Sequence, residues 1–234
     1  MRTDTAGPRL QRRRIEANGL TFECLHAGDG DRLALCLHGF PDNAGSMAPV
    51  LWRLADAGFT AVAPFMRGYA PTDPAPDGDY SGTALGEDAV ALADALGTEF
   101  DTDDAVVVGH DWGAAAAYAA DRIAPDTFSK LVTMAVPPGF DALLFEHPRQ
   151  ALRGWYMWFK ETFRVEGTVE NALQYYRDTM RPSVREIAGD RPSIEDVPPV
   201  RTPTLVIYGD RDGCIGPELF EHADEIIEEC RVVR

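Results

Sequence analysis

Lysine is scarce in this chain, and long apolar runs are lacking. Only two of the 22 basic residues are lysines, Lys130 and Lys160, and 38 acidic residues bring the formal net charge to −16. Such a surface repels nucleic acid and anionic membranes, so we expect neither as a partner. No stretch is long enough to cross a bilayer, and Arg12–Arg14 are not followed by the apolar segment of a signal peptide. We therefore expect a cytoplasmic protein whose acidic surface suits a salt-rich cell interior.

Cysteine pairs and cofactor motifs are also lacking. The four cysteines form no C-x-x-C pair, which argues against a zinc site or a disulfide framework. The sequence has no G-x-G-x-x-G after a strand, no Walker A motif and no cluster of metal ligands. We therefore expect neither a cofactor nor a metal.

Strand and helix patterns alternate along the chain. The strand patterns include "RLALCLH", "FTAVAPF", "DAVVVG", "SKLVTMAV" and "PTLVIYGD", and helical patterns lie at 46–57, 81–96, 112–123 and 216–229. Asn18-Gly19 predicts a hairpin between two earlier strands. Apolar strands separated by helices predict an α/β fold, with a mostly parallel sheet covered by helices on both faces.

The alternation is interrupted between Phe140 and about Pro199 by two helical patterns rich in aromatic residues. We predict a helical lid at 140–199, inserted into a core formed by 1–139 and 200–234. Functional sites in parallel sheets lie at the carboxyl ends of the strands, so an insertion leaving from such an end would cover the site.

The segment "VVVGHDWGAA" has the pattern of a nucleophile at a sharp strand-to-helix turn. Asp111 occupies the exposed position between Gly109 and Gly113, and the N–H of Trp112 is directed at a developing oxyanion. The alternative is that Gly109 ends a strand and Asp111 caps the following helix.

Two further motifs follow strands. His38-Gly39-Phe40-Pro41 comes after "RLALCL", and Gly209-Asp210-Arg211-Asp212 comes after "PTLVIY". The alternatives are a plain proline turn for the first segment and a solvated acidic turn for the second.

Together these segments resemble the α/β-hydrolases, in the branch that contains epoxide hydrolases and haloalkane dehalogenases. "HGFPD", "APFMRGYAPTD" and "GHDWGA" carry the resemblance, which runs from about Asn18 onwards in the family's motif order. It implies that Asp111 is the nucleophile, that the N–H groups of Phe40 and Trp112 are oxyanion donors, and that Asp212 orients a histidine base. We expect a small apolar substrate, an epoxide or a halide, and a monomer or a homodimer.

An aspartate nucleophile suits displacement at a saturated carbon. Attack on an ester carbonyl would give an anhydride, whereas attack on an epoxide or an alkyl halide gives an ordinary ester. Water then cleaves that ester with the help of the oxyanion donors. A carboxylate is already ionised at neutral pH, so the first step needs no base.

The leaving group separates the two substrates, because an alkoxide needs a proton and a halide does not. The resemblance implies that two lid tyrosines supply this proton. "NALQYYRD" assigns this role to Tyr176, and "RGWYMWF" assigns it to Tyr156, beside Trp155. The alternative is that these aromatics are lid core. Two tyrosines in matching contexts favour an epoxide hydrolase over a dehalogenase.

The histidine base is the part of the family pattern that this sequence lacks. The family's histidine follows the helix and strand after Asp212, and the sequence stops at Arg234 within that strand. His147, in the lid, is the one candidate substitute, because His26, His38, His110 and His222 belong to other elements. We expect either an epoxide-opening enzyme whose histidine lies beyond Arg234, or a catalytically incomplete scaffold that binds small apolar ligands.

Overall fold

The fold is built on an eight-stranded sheet. The computed structural model describes residues 9–146, 168–179 and 193–234. Within them the strand order is β1-β2-β4-β3-β5-β6-β7-β8. The strands are β1 Gln11–Ala17, β2 Leu20–Ala27, β3 Arg32–Leu37, β4 Phe59–Pro64, β5 Ala105–His110, β6 Lys130–Met134, β7 Thr204–Ile207 and β8 Cys230–Val233.

Most of the strands run parallel, as predicted. Asn18 and Gly19 have φ angles of 45° and 72° and join β1 and β2 in an antiparallel hairpin. Strand β2 also runs antiparallel to β4, while the pairs from β4-β3 to β7-β8 are all parallel. The carboxyl ends of β3, β5, β6 and β7 therefore lie at one edge, and the loops that follow them meet there.

Helices cover both faces of the sheet. They are α1 Ala48–Asp56, α2 Gly82–Phe100, α3 Trp112–Ile123, α4 Phe140–Glu146, α5 Thr168–Thr179 and α6 Ala223–Ile226. Leu35 and Leu37 of β3 lie in the core shared with α2 and α3, whereas Cys36 packs with Leu51 of α1 on the opposite face. Because successive side chains alternate between two covered faces, the strand is apolar throughout.

The predicted end of helix α2 at Gly97 is wrong, because the helix continues to Phe100. Asp101 takes the left-handed C-cap conformation, with a φ of 53°, and its N–H donates to the carbonyl oxygen of Gly97. A Cβ atom at Gly97 would lie 2.8 Å from the carbonyl oxygen of Thr102. Glycine at this position therefore gives room for the returning chain rather than ending the helix.

The single helix predicted over 216–229 is also wrong. The structure has a 3₁₀ turn at Pro217–Phe220, and then the single turn of α6. Ile227 is extended and forms a β-bridge with Val200, and the N–H of Val200 donates to the carbonyl oxygen of Ile226 at 2.9 Å. The buried apolar residues Leu219, Phe220, Ala223, Ile226 and Ile227 recur at helical spacing, but pairing with the chain near Val200 extends the backbone.

The described part of the predicted lid is helical. It comprises α4, α5 and a 3₁₀ turn at Ile194–Asp196. Tyr156 and His147 lie outside the described residues, so the division into core and lid remains a prediction. Across the described ranges, no helix combines the length and apolar character needed to cross a membrane.

Candidate active site

Asp111 stands at the turn between β5 and α3, where the sequence motif predicts it. Its backbone has a φ of 54° and a ψ of −117°, a conformation that costs a non-glycine residue about 1–3 kcal/mol. Its N–H donates to the carbonyl oxygen of Met134 at 3.0 Å, which ties the turn to β6. Among the described residues, the Asp111 side chain makes no capping hydrogen bond to α3. The helix-cap alternative is therefore not supported.

Two glycines make this sharp turn possible. A Cβ atom at Gly109 would overlap the carbonyl oxygen of Gly113, and a Cβ atom at Gly113 would overlap the carbonyl oxygen of Leu37. The first residues of α3 thus pass directly over the ends of β5 and β3. Only glycine permits this approach of one backbone to another.

Backbone N–H groups from two elements meet at the Asp111 carboxylate. The N–H of Phe40 donates to Asp111 Oδ1 at 2.8 Å, and the N–H of Trp112 lowers the pKa of the same carboxylate. A Cβ atom at Gly39 would overlap Oδ1 of Asp111, so the loop after β3 lies directly against this side chain. If Asp111 formed an ester, these two N–H groups would face the oxygen that becomes negative during its hydrolysis.

The surroundings of Asp111 raise its pKa above the ordinary aspartate value. Burial is the largest cause, and the N–H groups of Phe40 and Trp112 and the charge of His110 oppose it. The nearby carboxylate of Asp42 adds to the rise. A carboxylate that water solvates poorly is a better nucleophile than a fully hydrated one.

Asp111→Asn is expected to increase the free energy of unfolding at neutral pH. Because folding raises the pKa of Asp111, the folded state favours the neutral side chain, and the ionised carboxylate destabilises it. The amide stays neutral and still accepts the N–H of Phe40. The gain should be complete above the folded pKa of Asp111, shrink as the pH falls through it, and vanish below the unfolded pKa of about 3.9.

Urea unfolding of both proteins between about pH 4 and pH 8 measures this gain. Asp103→Asn, at an exposed aspartate, is the matched control and should show no such pH dependence. A gain that stays constant with pH would contradict the burial of the Asp111 charge.

Tyr176 of α5 packs on the two residues whose N–H groups act on the Asp111 carboxylate. Its ring packs edge-on against Phe40, with centroids 5.4 Å apart, and against Trp112, with centroids 4.9 Å apart. Burial raises the pKa of Tyr176, the charge of Asp111 raises it further, and the Trp112 side chain opposes the rise. The phenol therefore stays protonated at neutral pH.

Tyr69 and His38 are further neighbours of the site. The Tyr69 ring packs edge-on against His38, with centroids 4.6 Å apart. Burial raises the pKa of Tyr69, and the charge of Asp111 is the next cause, which places Tyr69 in the field of the nucleophile. Tyr69 belongs to the "APFMRGYAPTD" segment, but the sequence carries no signal that this loop would return to Asp111.

His38 supports the loop that carries Phe40. Its Nε2 accepts the N–H of Met66 at 3.1 Å, and its Nδ1 lies 3.2 Å from the carbonyl oxygen of Gly39, which assigns the ring proton to Nδ1. Burial lowers the pKa of His38 to about 4. This histidine is therefore neutral at neutral pH, with both ring nitrogens engaged.

Asp212 follows β7, two strands along the same sheet edge from β5. Its Oδ1 accepts the N–H of Cys214 at 2.7 Å and that of Ile215 at 3.2 Å, so the carboxylate organises its own loop. Within the described chain, no histidine contacts Asp212 through a hydrogen bond or an ion pair. His222 instead pairs with Glu225 at 3.0 Å.

Comparison with known proteins gives consistent matches. A model described as the alpha/beta hydrolase family matches residues 34–233. An epoxide hydrolase of Caballeronia sordidicola is 34% identical over 142 residues, which make up 59% of this chain and 42% of that protein. Epoxide hydrolase A of Mycobacterium tuberculosis is 35% identical over 127 residues, or 53% of this chain and 38% of that protein.

The chain thus spans about two fifths of the length of these curated relatives. Among solved structures, an epoxide hydrolase of Bacillus megaterium in complex with an inhibitor aligns with a TM-score of 0.77. The alignment covers 95% of this chain and 91% of that chain at 22% identity, so it shows a shared fold.

Proposed function

Since this chain belongs to the alpha/beta hydrolase family, we propose that it opens epoxides through an ester formed on Asp111. The observation that carries the proposal is the placement of Asp111 at a strained turn, with the N–H of Phe40 on one carboxylate oxygen and the Tyr176 ring packed on Phe40 and Trp112. The names of the relatives support the same reaction class. The substrate is a small apolar epoxide.

The first step uses Asp111 and Tyr176. A carboxylate oxygen of Asp111 attacks a ring carbon, an ester C–O bond forms, and the ring C–O bond breaks with its electron pair on oxygen. The Tyr176 hydroxyl donates its proton to this alkoxide, and the phenolate regains a proton from water. A halide would leave without a proton, so the phenol beside Asp111 favours an epoxide over a halide.

The second step hydrolyses the ester. Water attacks the carboxyl carbon of Asp111, and the N–H groups of Phe40 and Trp112 stabilise the oxyanion. This water needs a base, and within the described residues no histidine is hydrogen-bonded to Asp212, the carboxylate expected to orient one. His38 has both ring nitrogens engaged, and His222 pairs with Glu225. We therefore propose that the 234-residue polypeptide forms the ester faster than it hydrolyses it.

The proposal also covers the partners, the compartment and the oligomeric state of the protein. A net charge of −16 disfavours association with nucleic acid and anionic membranes. We propose a cytoplasmic protein, a monomer or a homodimer, that needs no cofactor for either step.

Intact mass spectrometry after incubation with styrene oxide tests the proposal. We expect one adduct per chain in a Cys214→Ser/Cys230→Ser background, which removes the two partly exposed thiols. Asp111→Ala should abolish the adduct, and Asp103→Ala, at an exposed aspartate, should retain it.

Other outcomes of this experiment are informative. Many turnovers with release of the diol would overturn the accumulation of the ester and point to a base, for which His147 is the candidate that the sequence offers. Modification by benzyl bromide but never by styrene oxide would favour a dehalogenase. A chain that reacts with neither would favour an inert scaffold.

A further inference from the structure

Helix α5 is fastened to the loop between β4 and α2, residues 65–81, which we call the β4–α2 loop. The hydroxyl of Tyr175 donates to the carbonyl oxygen of Arg67 at 2.6 Å. One turn earlier, the side-chain amide of Asn171 donates to the carbonyl oxygen of Gly68 at 3.3 Å. Residues four apart share one face of a helix, so the two bonds hold a single face of α5 against this loop.

A third bond and a close backbone approach extend the same contact. The N–H of Tyr80 donates to a carboxylate oxygen of Asp178 at 3.1 Å. Gly68 has a φ of 75°, and a Cβ atom there would lie 2.8 Å from Cβ of Asn171. The helix therefore lies nearly in backbone contact with the loop, at a residue where glycine is needed for both conformation and space.

The loop itself is held by a buried ion pair. The guanidinium of Arg67 donates to both carboxylate oxygens of Asp88 in α2, each at 2.6 Å, and both side chains are buried. Asp88 also accepts the side-chain amide of Asn18, in the first hairpin, at 2.8 Å. A planar bidentate pair of this kind fixes the orientation of Arg67. The carbonyl group that receives the Tyr175 hydroxyl is therefore a rigid acceptor.

Tyr175 and Tyr176 are neighbours in the chain, so holding one directs the other. The Tyr175 ring is fully buried and packs edge-on against Trp112, with centroids 5.6 Å apart. Tyr176 projects from the adjoining face of the helix, between the Phe40 and Trp112 rings. A rotation or a shift of α5 would move the Tyr176 ring relative to Phe40 and Trp112, and the Tyr175–Arg67 bond opposes both movements.

We propose that Tyr175 is a positioning residue for epoxide opening. Its hydroxyl, anchored on the Arg67 carbonyl, sets the register and rotation of α5 that place the Tyr176 phenol over Asp111. This inference rests on the proposed function, because it assigns a consequence to the donor role of Tyr176. It adds a residue that does not touch the substrate but decides whether the leaving oxygen receives its proton.

Tyr175→Phe removes the hydroxyl and keeps the buried ring. We expect the maximal rate of Asp111 ester formation with styrene oxide to fall about tenfold, with the half-saturating concentration unchanged. The rate with benzyl bromide should not change, since bromide needs no proton. In a Tyr176→Phe background, Tyr175→Phe should have no further effect. Asn171→Ala removes the hydrogen bond to the Gly68 carbonyl and should likewise slow the reaction with styrene oxide but not with benzyl bromide. This variant replaces Tyr175→Phe in the test if Tyr175→Phe does not fold.

Tyr118→Phe is the matched control, because it removes a buried hydroxyl that bonds Thr133 at 2.7 Å and lies outside α5. It should leave both rates unchanged. Equal slowing with styrene oxide and benzyl bromide, or an additive loss in the Tyr176→Phe background, would mean a general structural role and would overturn the inference. If Tyr175→Phe forms the ester as fast as wild type, the positioning role of Tyr175 is wrong, but the proposed function is not affected. Absence of any Asp111 adduct in the wild type would overturn the proposed function as well.

Discussion

Tyr176→Phe is expected to slow ester formation on Asp111 with styrene oxide by about a hundredfold. The variant keeps the ring that packs on Phe40 and Trp112 but removes the proton that the alkoxide needs. With benzyl bromide the same variant should react as fast as wild type, because bromide leaves as a stable anion. The rate constants come from the growth of the adduct mass over time.

The comparison between the two probes separates proton donation from packing. Tyr118→Phe again controls for the loss of a buried hydroxyl elsewhere in the core. An equal loss of rate with both probes would mean that Tyr176 shapes the site without donating a proton. An unchanged rate with styrene oxide would remove Tyr176 from the mechanism, and Tyr156 would then be the remaining lid candidate.

Gly113→Ala is expected to lower the free energy of unfolding by about 3 kcal/mol or more. The added Cβ atom would overlap the carbonyl oxygen of Leu37 in β3, so either the strand or the start of α3 must move. This movement would also displace Asp111, which directly precedes α3. Urea unfolding measures the loss, and the rate of adduct formation measures the displacement.

Gly82→Ala is the matched control for this prediction. Gly82 is the first residue of α2, and a Cβ atom there would meet nothing within 4 Å. Alanine is the better helix former, so this variant should be as stable as wild type or more stable by up to about 1 kcal/mol. Similar losses from both substitutions would show that the tight approach of α3 to β3 does not require glycine.

The sheet and the turn at Asp111 could be predicted from sequence because their signals are local. Apolar strands alternate with helices, and Gly109 and Gly113 enclose Asp111 after a β-branched run. The end of α2 could not be predicted in the same way. Glycine is the residue type that often ends a helix, so Gly97 suggests a helix end. The left-handed C-cap conformation is taken by Asp101 instead. The close passage of the chain over Gly97 is a tertiary contact, which local sequence does not show.

The contacts that hold the site residues in place could likewise not be predicted from the sequence. The Tyr175 hydroxyl reaches the carbonyl oxygen of Arg67, more than a hundred residues earlier in the chain. The motif context in "NALQYYRD" selected Tyr176 as the donor but said nothing about the neighbouring tyrosine. Similarly, the neutral state of His38 follows from its burial, which only the folded chain creates.

Tandem mass spectrometry of the styrene oxide adduct tests the central claim most directly, because it locates the modified residue. The account predicts one modification, on the peptide that contains Asp111, in the form of an ester that hydroxylamine removes. A modification that resists hydroxylamine, or one located at His110 or another aspartate while Asp111 remains unmodified, would contradict the assignment of Asp111 as the nucleophile.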